Sequence, residues 1–332
     1  MDKFDYKDIW VYIEHDAETI SPVSLELCCE ARKLCDITGD KLAAIIIEPF
    51  TESMFGQIFD CGVDQIIRVR GSGYKEYNCD AWSNLFTVLC REHWPSAVLV
   101  GGTANGRDFA PRFAARLNTG CTSDAIELAY NSESGDIEFI EPAVGGKIMA
   151  VITVPVLRPQ VGTIRPGTFR HEPAGRREHV EFIDECIDFD EEKIRTKLLK
   201  FEPLAQEDGS IADADVVVCV GNGLSSPDKL SKYAELAALL NGQLACTRPV
   251  LDRGMMDFRR IIGQSGAMIK PKLYIGFGVS GAINHVAGFA GAKMSVAVNS
   301  DPDAAIFNHC DYGIVGDMDE ICEAMIELLK SK

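Results

Sequence analysis

Leu273-Tyr274-Ile275-Gly276-Phe277-Gly278-Val279-Ser280-Gly281-Ala282 decides how this chain is read. A short apolar run, long enough for a buried strand, passes into glycines spaced G-x-G-x-x-G. A helix is predicted to follow over Ala282–Ala290. Glycine at such a turn lets the backbone bend tightly and approach a pyrophosphate, which rests on N–H groups at the helix start. The next strand, predicted over Ser295–Val298, ends at Asn299-Ser300-Asp301, about 20 residues past the glycines, where a polar side chain reaches a ribose. These residues imply a dinucleotide. The plain alternative is a glycine-rich strand-to-helix turn without a ligand.

Working outward, the same alternation continues in both directions. Strand Val216–Val220 leads into a second glycine turn, Gly221-Asn222-Gly223-Leu224-Ser225-Ser226, and then a predicted helix, Pro227–Leu240. That turn lacks the third glycine and is weak by itself. A short strand precedes Thr247-Arg248-Pro249, and Gly263-Gln264-Ser265-Gly266 follows. Each is loop-like alone, but their order places a hydroxyl, a guanidinium and an amide on successive strand-to-helix loops of one sheet, where they converge. Strand Tyr312–Val315 and a helix from Met318 close the chain.

The first half has its own pattern: strands Ile9–Ile13, Leu42–Ile47, Gln65–Val69 and Ala97–Val100, with a helix over Pro22–Leu34. Short apolar runs separated by helical segments imply a parallel sheet covered by helices. After Asp124 come strand-like Ile137–Ile140 and Ile148–Val154, then a Pro/Gly/Arg-rich segment. Between His171 and Asp215 the chain is highly charged, and Glu207-Asp208-Gly209-Ser210 is the best linker. The expectation is an α/β protein of two domains, a parallel-sheet α/β domain over 1–206 and a Rossmann-like α/β domain over 207–332.

Composition narrows the function. The 33 Lys+Arg against 50 Asp+Glu give a net charge of −17. Such a surface repels phosphate backbones and anionic lipid, so neither nucleic acid nor membrane insertion is expected. The N-terminus, too acidic and polar for a signal or transit peptide, implies a cytoplasmic protein. Twelve cysteines show no two-residue gap of the kind found in zinc ribbons or iron–sulfur loops. No metal is expected, and the thiols read as small buried hydrophobes.

Several segments together resemble one family, the electron transfer flavoprotein alpha subunits. They are Gly263–Gly266, Pro271–Ile275, Val279–His285 and Asp311–Asp317 near the C-terminus, with Gly102–Asp108, Pro111-Arg112, Ala114–Leu117 and Arg158–Gly167 upstream. The resemblance runs in order over most of the chain. It implies FAD held by the second domain and a beta subunit docked mainly on the first. It also implies electron exchange with a flavin-dependent dehydrogenase, such as an acyl-CoA dehydrogenase, and in one branch NADH-driven bifurcation. It implies no catalytic residue in the usual sense, the chain being an electron carrier subunit. Residue by residue, Arg248 lies over the isoalloxazine beside Thr247, Ser265 reaches N5 within the Gly263-Gln264-Ser265-Gly266 loop, and His285 hydrogen-bonds O2. Ser280, Gly281, Ala282 and Ile283 hold the pyrophosphate next to Asn284, while Asn299 and Asp317 serve the adenosine end.

Two departures stand against that pattern. Asn222 occupies a turn position where many family members carry arginine, which removes a positive charge near the cofactor. The segment Leu251–Arg260, with Met255-Met256 and Arg259-Arg260, also departs. The rival reading is a NAD-dependent oxidoreductase using the same fingerprint. It needs an acid/base group in the first domain, and His15 and His93 are the nearest candidates.

Overall fold

The apolar runs become two separate parallel sheets in the computed structural model, which describes residues 2–16, 19–143, 148–196, 198–200, 210–212 and 214–331. Contacts divide the chain into Met1–Phe201 and Glu202–Lys332. Apart from Ser210, the expected linker lies outside the described residues.

The first unit runs β1 (Lys7–Tyr12), α1 (Pro22–Thr38), β2 (Leu42–Ile47), α2 (Phe55–Asp60), β3 (Gln65–Arg70), α3 (Cys79–His93), β4 (Pro95–Gly101), α4 (Ala104–Arg116) and β5 (Cys121–Ala125). It continues with β6 (Glu127–Asn131), β7 (Asp136–Ala143), β8 (Ile148–Ile152), β9 (Gln160–Ile164) and β10 (Glu181–Cys186). Seven of these strands form a sheet in the order β10-β3-β2-β1-β4-β9-β5, all paired parallel. Both faces are covered, and alternate residues of each strand serve opposite cores. Ile9, Val11 and Leu99 pack with Leu27 and Leu34 of α1 and Phe55 of α2. Trp10, Tyr12 and Val98 pack with Phe86 of α3 and Phe109 and Phe113 of α4. Strands β6, β7 and β8 form a separate antiparallel sheet.

Four strands, β5, β6, β9 and β10, escaped the sequence pattern. β9 falls inside the segment read as Pro/Gly/Arg-rich, and its Gln, Gly and Thr dilute a five-residue run that is nonetheless fully buried. β10 lies at a sheet edge, mostly exposed, so it carries no apolar run. Arg158 and Gln160 act structurally here. Arg158 Nη2 meets Asp136 at 2.6 Å with both side chains buried. The Gln160 amide pairs with both the N–H and the carbonyl of Ile137, at 2.9 and 2.8 Å.

The second unit runs β11 (Val216–Val220), α5 (Leu230–Leu239), β12 (Gln243–Cys246), α6 (Arg248–Asp252), β13 (Leu273–Phe277), α7 (Ile283–Phe289), β14 (Ser295–Asn299), β15 (Tyr312–Val315) and α8 (Met318–Lys330). The strand order is β12-β11-β13-β14-β15, again all parallel. Tyr233 and Leu236 of α5 and Cys322 and Ile326 of α8 cover one face, while Phe289, Ile262 and Ile306 cover the other. From β11 the chain moves outward to β12, then returns past β11 and builds β13 to β15 on the other side. A crevice therefore opens at the carboxyl ends of β11 and β13, where connections diverge and α/β sheets bind ligands.

Candidate cofactor site

Both glycine turns lie at that crevice, and they interlock. Gly221 N–H donates to the Phe277 carbonyl at 2.8 Å and Gly223 N–H to the Gly278 carbonyl at 3.1 Å. Gly278 has φ +61°, and a Cβ on Gly223 would stand 3.0 Å from the Gly278 Cα. The glycines are thus required by backbone-to-backbone contact as well as by any ligand. Gly281 has φ +90°, and a Cβ there would meet the Ile306 nitrogen at 2.2 Å. The loop after β14 closes onto the fingerprint at that point, with Ile306 N–H donating to the Ser280 carbonyl at 3.1 Å.

These contacts leave a cavity of about 480 Å³ lined by Asn222, Gly223, Gly278, Ser280, Asn299 and Asp317, together with Asp301, Asp303 and Met318. That size is in the range of cofactor sites. Four residues singled out on sequence, Asn222, Ser280, Asn299 and Asp317, are therefore brought together. Asn299 Nδ2 donates to the Val279 carbonyl at 2.9 Å and its Oδ1 accepts from Asp301 N–H at 3.0 Å. Asp317 caps α8, its Oδ1 accepting from the N–H groups of Asp319 and Glu320. Asp303, Ala304 and Met318 gave no signal in the sequence, because they reach the cavity only when the β14 loop and α8 fold over it.

The remaining candidate loops are laced along the same sheet edge. Thr247 N–H donates to the Val220 carbonyl, Ile262 N–H to Cys246, and Gln264 N–H to Asn284. Gly263 packs against Asn284, a Cβ there meeting the Asn284 oxygen at 2.9 Å. Gln264 and Ser265 are exposed, Gly266 is half-buried, and Ala282, Ile283 and Asn284 are exposed on the fingerprint loop and the first turn of α7. Thr247 is buried, and its Oγ1 has no hydrogen-bond partner among the described residues. Arg248 is exposed and its Nε bonds Asp252 Oδ1 at 2.7 Å within α6.

His285 turns inward. Its Nδ1 meets the Ile262 carbonyl at 2.9 Å and its Nε2 the Tyr274 hydroxyl at 2.8 Å. Burial lowers its pKa from 6.5 to about 4, so the ring is neutral at pH 7. A carbonyl only accepts, which puts the proton on Nδ1 and makes Nε2 the acceptor of the tyrosine O–H. Both ring nitrogens are thus engaged within the protein. The two histidines of the rival reading are also engaged locally, His15 with the carbonyls of Asp16 and Ile47 and His93 with Glu185.

A family model described as an electron transfer flavoprotein domain matches residues 9–185, and one described as an electron transfer flavoprotein FAD-binding domain matches 210–290. The chain belongs to the electron transfer flavoprotein alpha-subunit family. It is 36% identical to the alpha subunit of Thermoanaerobacterium thermosaccharolyticum over 98% of both chains. It is 35% identical to that of Megasphaera elsdenii over 100% of this chain and 99% of the other. The LctC subunit of the lactate dehydrogenase (NAD(+),ferredoxin) of Acetobacterium woodii is 34% identical over 99% of this chain and 78% of its own length. No described helix is long and apolar enough to cross a membrane.

The crevice has the features of a dinucleotide site on its own geometry. Gly223 and Gly278 pack backbone against backbone beside Met318, a cradle in which a Cβ on Gly278 would meet the Met318 sulfur at 2.7 Å. The cavity leads from that cradle to the capping residues Asn299 and Asp317. Further along the sheet edge, the buried Thr247 hydroxyl lacks a partner, a cost that a ligand atom relieves.

Proposed function

We propose that this chain holds FAD in its Glu202–Lys332 unit and, paired with a beta subunit, carries electrons between a flavin-dependent dehydrogenase and another carrier. The observation that carries the reading is the crevice at the carboxyl ends of β11 and β13, where two interlocked glycine turns and four sequence-derived residues line one cavity. When bound, FAD supplies the electron chemistry. The chain's residues bind and orient it: Ser280 to Asn284 face the pyrophosphate, Asn299 and Asp317 the adenosine end. Gly263 to Gly266, Thr247 and Arg248 face the ring. Arg248 places positive charge where a flavin gains negative charge on reduction, which favours the reduced forms. His285 acts through Tyr274 and Ile262, holding the 262–266 loop against α7. The likeness to the LctC subunit, which belongs to a lactate dehydrogenase (NAD(+),ferredoxin), supports an NAD-linked branch of this role, in which bifurcation is the finer reading.

The test is the visible spectrum and flavin count of the chain co-expressed with its beta subunit. Two FAD per heterodimer support bifurcation. One FAD, with AMP at the second site, supports a simple carrier. A colourless complex that takes up no added FAD overturns the reading.

A further inference from the structure

Cys29 on α1, Cys61 directly after α2 and His171 in the irregular segment after β9 meet within the first unit. Their two sulfurs and one ring nitrogen all lie within 4.8 Å of one another, and the Cys61 Sγ to His171 Nε2 separation is 3.8 Å. We propose that these three side chains are the ligands of a divalent cation of the zinc class.

The geometry is close to what such an ion needs. Bonds of about 2.3 Å to sulfur and about 2.0 Å to imidazole nitrogen, arranged as a tetrahedron, give S···N edges of roughly 3.5 Å and S···S edges of roughly 3.8 Å. The observed triangle reaches those values by side-chain adjustments of an ångström or less. Two thiolates and an imidazole are the donor set that a borderline-soft cation selects over magnesium or calcium. Water or the thiol of Cys28, which also contacts Cys61, fills the fourth position.

The Glu172 backbone N–H bonds the Cys29 sulfur, and Lys33 adds positive charge nearby. Arg32 Nη1 reaches the carbonyl of Gly62, the residue after Cys61, at 3.3 Å. Without metal, the Cys61 thiol lies 3.4 Å from the Gln57 carbonyl as its donor. Contact with Cys61, then burial, pushes the Cys29 thiol up. Binding therefore releases one proton from each of the two cysteines and changes no oxidation state.

The consequence is structural. Residues 167–180 have no regular secondary structure. Beyond His171 they are tied down by Ala174 N–H to the Asp60 carbonyl and by Arg176–Asp60 and Arg177–Asp64 ion pairs that are largely exposed. Exposed pairs contribute little, so a metal clip joining His171 to two buried cysteines is the stronger fastening. The expectation of no metal rested on spacing. Ligands 32 and 110 residues from their partner, by subtraction of 29 and 61 from 61 and 171, leave no spacing to see.

The experiment measures zinc in the full-length chain, purified with its thiols reduced, by elemental analysis and by competition with a colorimetric chelator. Zn²⁺ is expected at one per chain, and Co²⁺ in its place to show sulfur-to-cobalt charge-transfer absorption. His171→Ala, at an exposed position that leaves the core untouched, is expected to weaken Zn²⁺ by on the order of 100-fold, at least the loss seen for outer-shell partners. Added Zn²⁺ is expected to raise the melting temperature of the wild type and not of the variant. Reduced wild type that takes up no Zn²⁺ at micromolar free metal overturns the site, as does equal uptake by His171→Ala. A Cys29–Cys61 disulfide formed in place of metal uptake also overturns it, making the pair redox-active instead.

Discussion

Arg253 lies over the turn that contains Asn222, its Nη1 donating to the Leu224 carbonyl at 2.9 Å and its Nη2 to the Asn222 carbonyl at 3.3 Å. A guanidinium is thus held against the turn that carries Asn222, from α6's C-terminal end. It is the more significant because the cavity lining contains Asp301, Asp303 and Asp317 and, among the described residues, no lysine or arginine. An anionic cofactor entering an acidic crevice gains from a guanidinium at its rim. Arg253→Ala is expected to weaken FAD by about 1 kcal/mol, roughly fivefold in Kd, the size appropriate to an exposed charge. Asn222→Arg in that background is expected to restore it. Equilibrium dialysis of the heterodimer at two salt concentrations measures both, and the loss should shrink in high salt.

Thr247 separates stability from binding. Its hydroxyl is buried without a partner, and valine has nearly the same shape without that cost. Thr247→Val is therefore expected to leave the flavin-free chain as stable or up to about 1 kcal/mol more stable. The same change is expected to raise the Kd for FAD several-fold, because a ligand hydrogen bond is lost. Urea unfolding of the apoprotein and FAD titration give the two readings. Loss of stability in the apoprotein would place the hydroxyl's role in the fold instead.

How much of this was legible depends on where each signal lives. Val216–Val220 and Leu273–Phe277 are buried on both faces, so their runs were visible and the turns after them could be located. The edge strand Glu181–Cys186 pairs in full with Gln65–Arg70, yet its exposed residues look like solvated loop. Asn299 was found because it ends a strand about 20 residues past the glycines, whereas Asn222, Ser280 and Asp317 were singled out through the family resemblance. Arg253 was not, since nothing in Leu251–Arg260 announces that its side chain turns back to a loop thirty residues earlier. That a helix histidine is satisfied by backbone, as His285 is by the Ile262 carbonyl, is the ordinary expectation for such a residue. The sequence shows a histidine on a helix, and only the packing shows Tyr274 occupying its Nε2.

Arg248 and Asp252 form a pair on α6 at 2.7 Å, which sets the sign of two opposed substitutions. A charge-assisted contact of ~1.5–3 kcal/mol corresponds to roughly 60–130 mV in a one-electron potential. Asp252 offsets part of the arginine's charge, and both side chains are more than half exposed, so the lower end applies. Arg248→Ala is expected to lower the first one-electron potential of the bound flavin by roughly 60 mV. Asp252→Ala is expected to raise it. Dye-equilibrated reductive titration of each flavin-loaded heterodimer reads the shift directly. Unchanged potentials in both variants would remove Arg248 from the neighbourhood of the ring.

His285 predicts a pH dependence that carboxylates cannot mimic. Its pKa is lowered by burial from 6.5 to about 4 in the folded chain. Between those values the unfolded chain binds a proton that the folded chain refuses, so stability is full above pH 6.5 and falls as pH drops toward 4. The span corresponds to about 3 kcal/mol at its acid end. The depressed carboxyls, Asp136 and Asp319 among them, withdraw their contribution only below the ordinary carboxylate range. Unfolding by urea is therefore expected to show a steep loss between pH 6.5 and 4 in the wild type. In His285→Gln, which keeps an amide to donate to the Ile262 carbonyl, the slope should be nearly flat over that window. An equal slope in both proteins would show that the ring takes up its proton without opening the contacts to Tyr274 and Ile262.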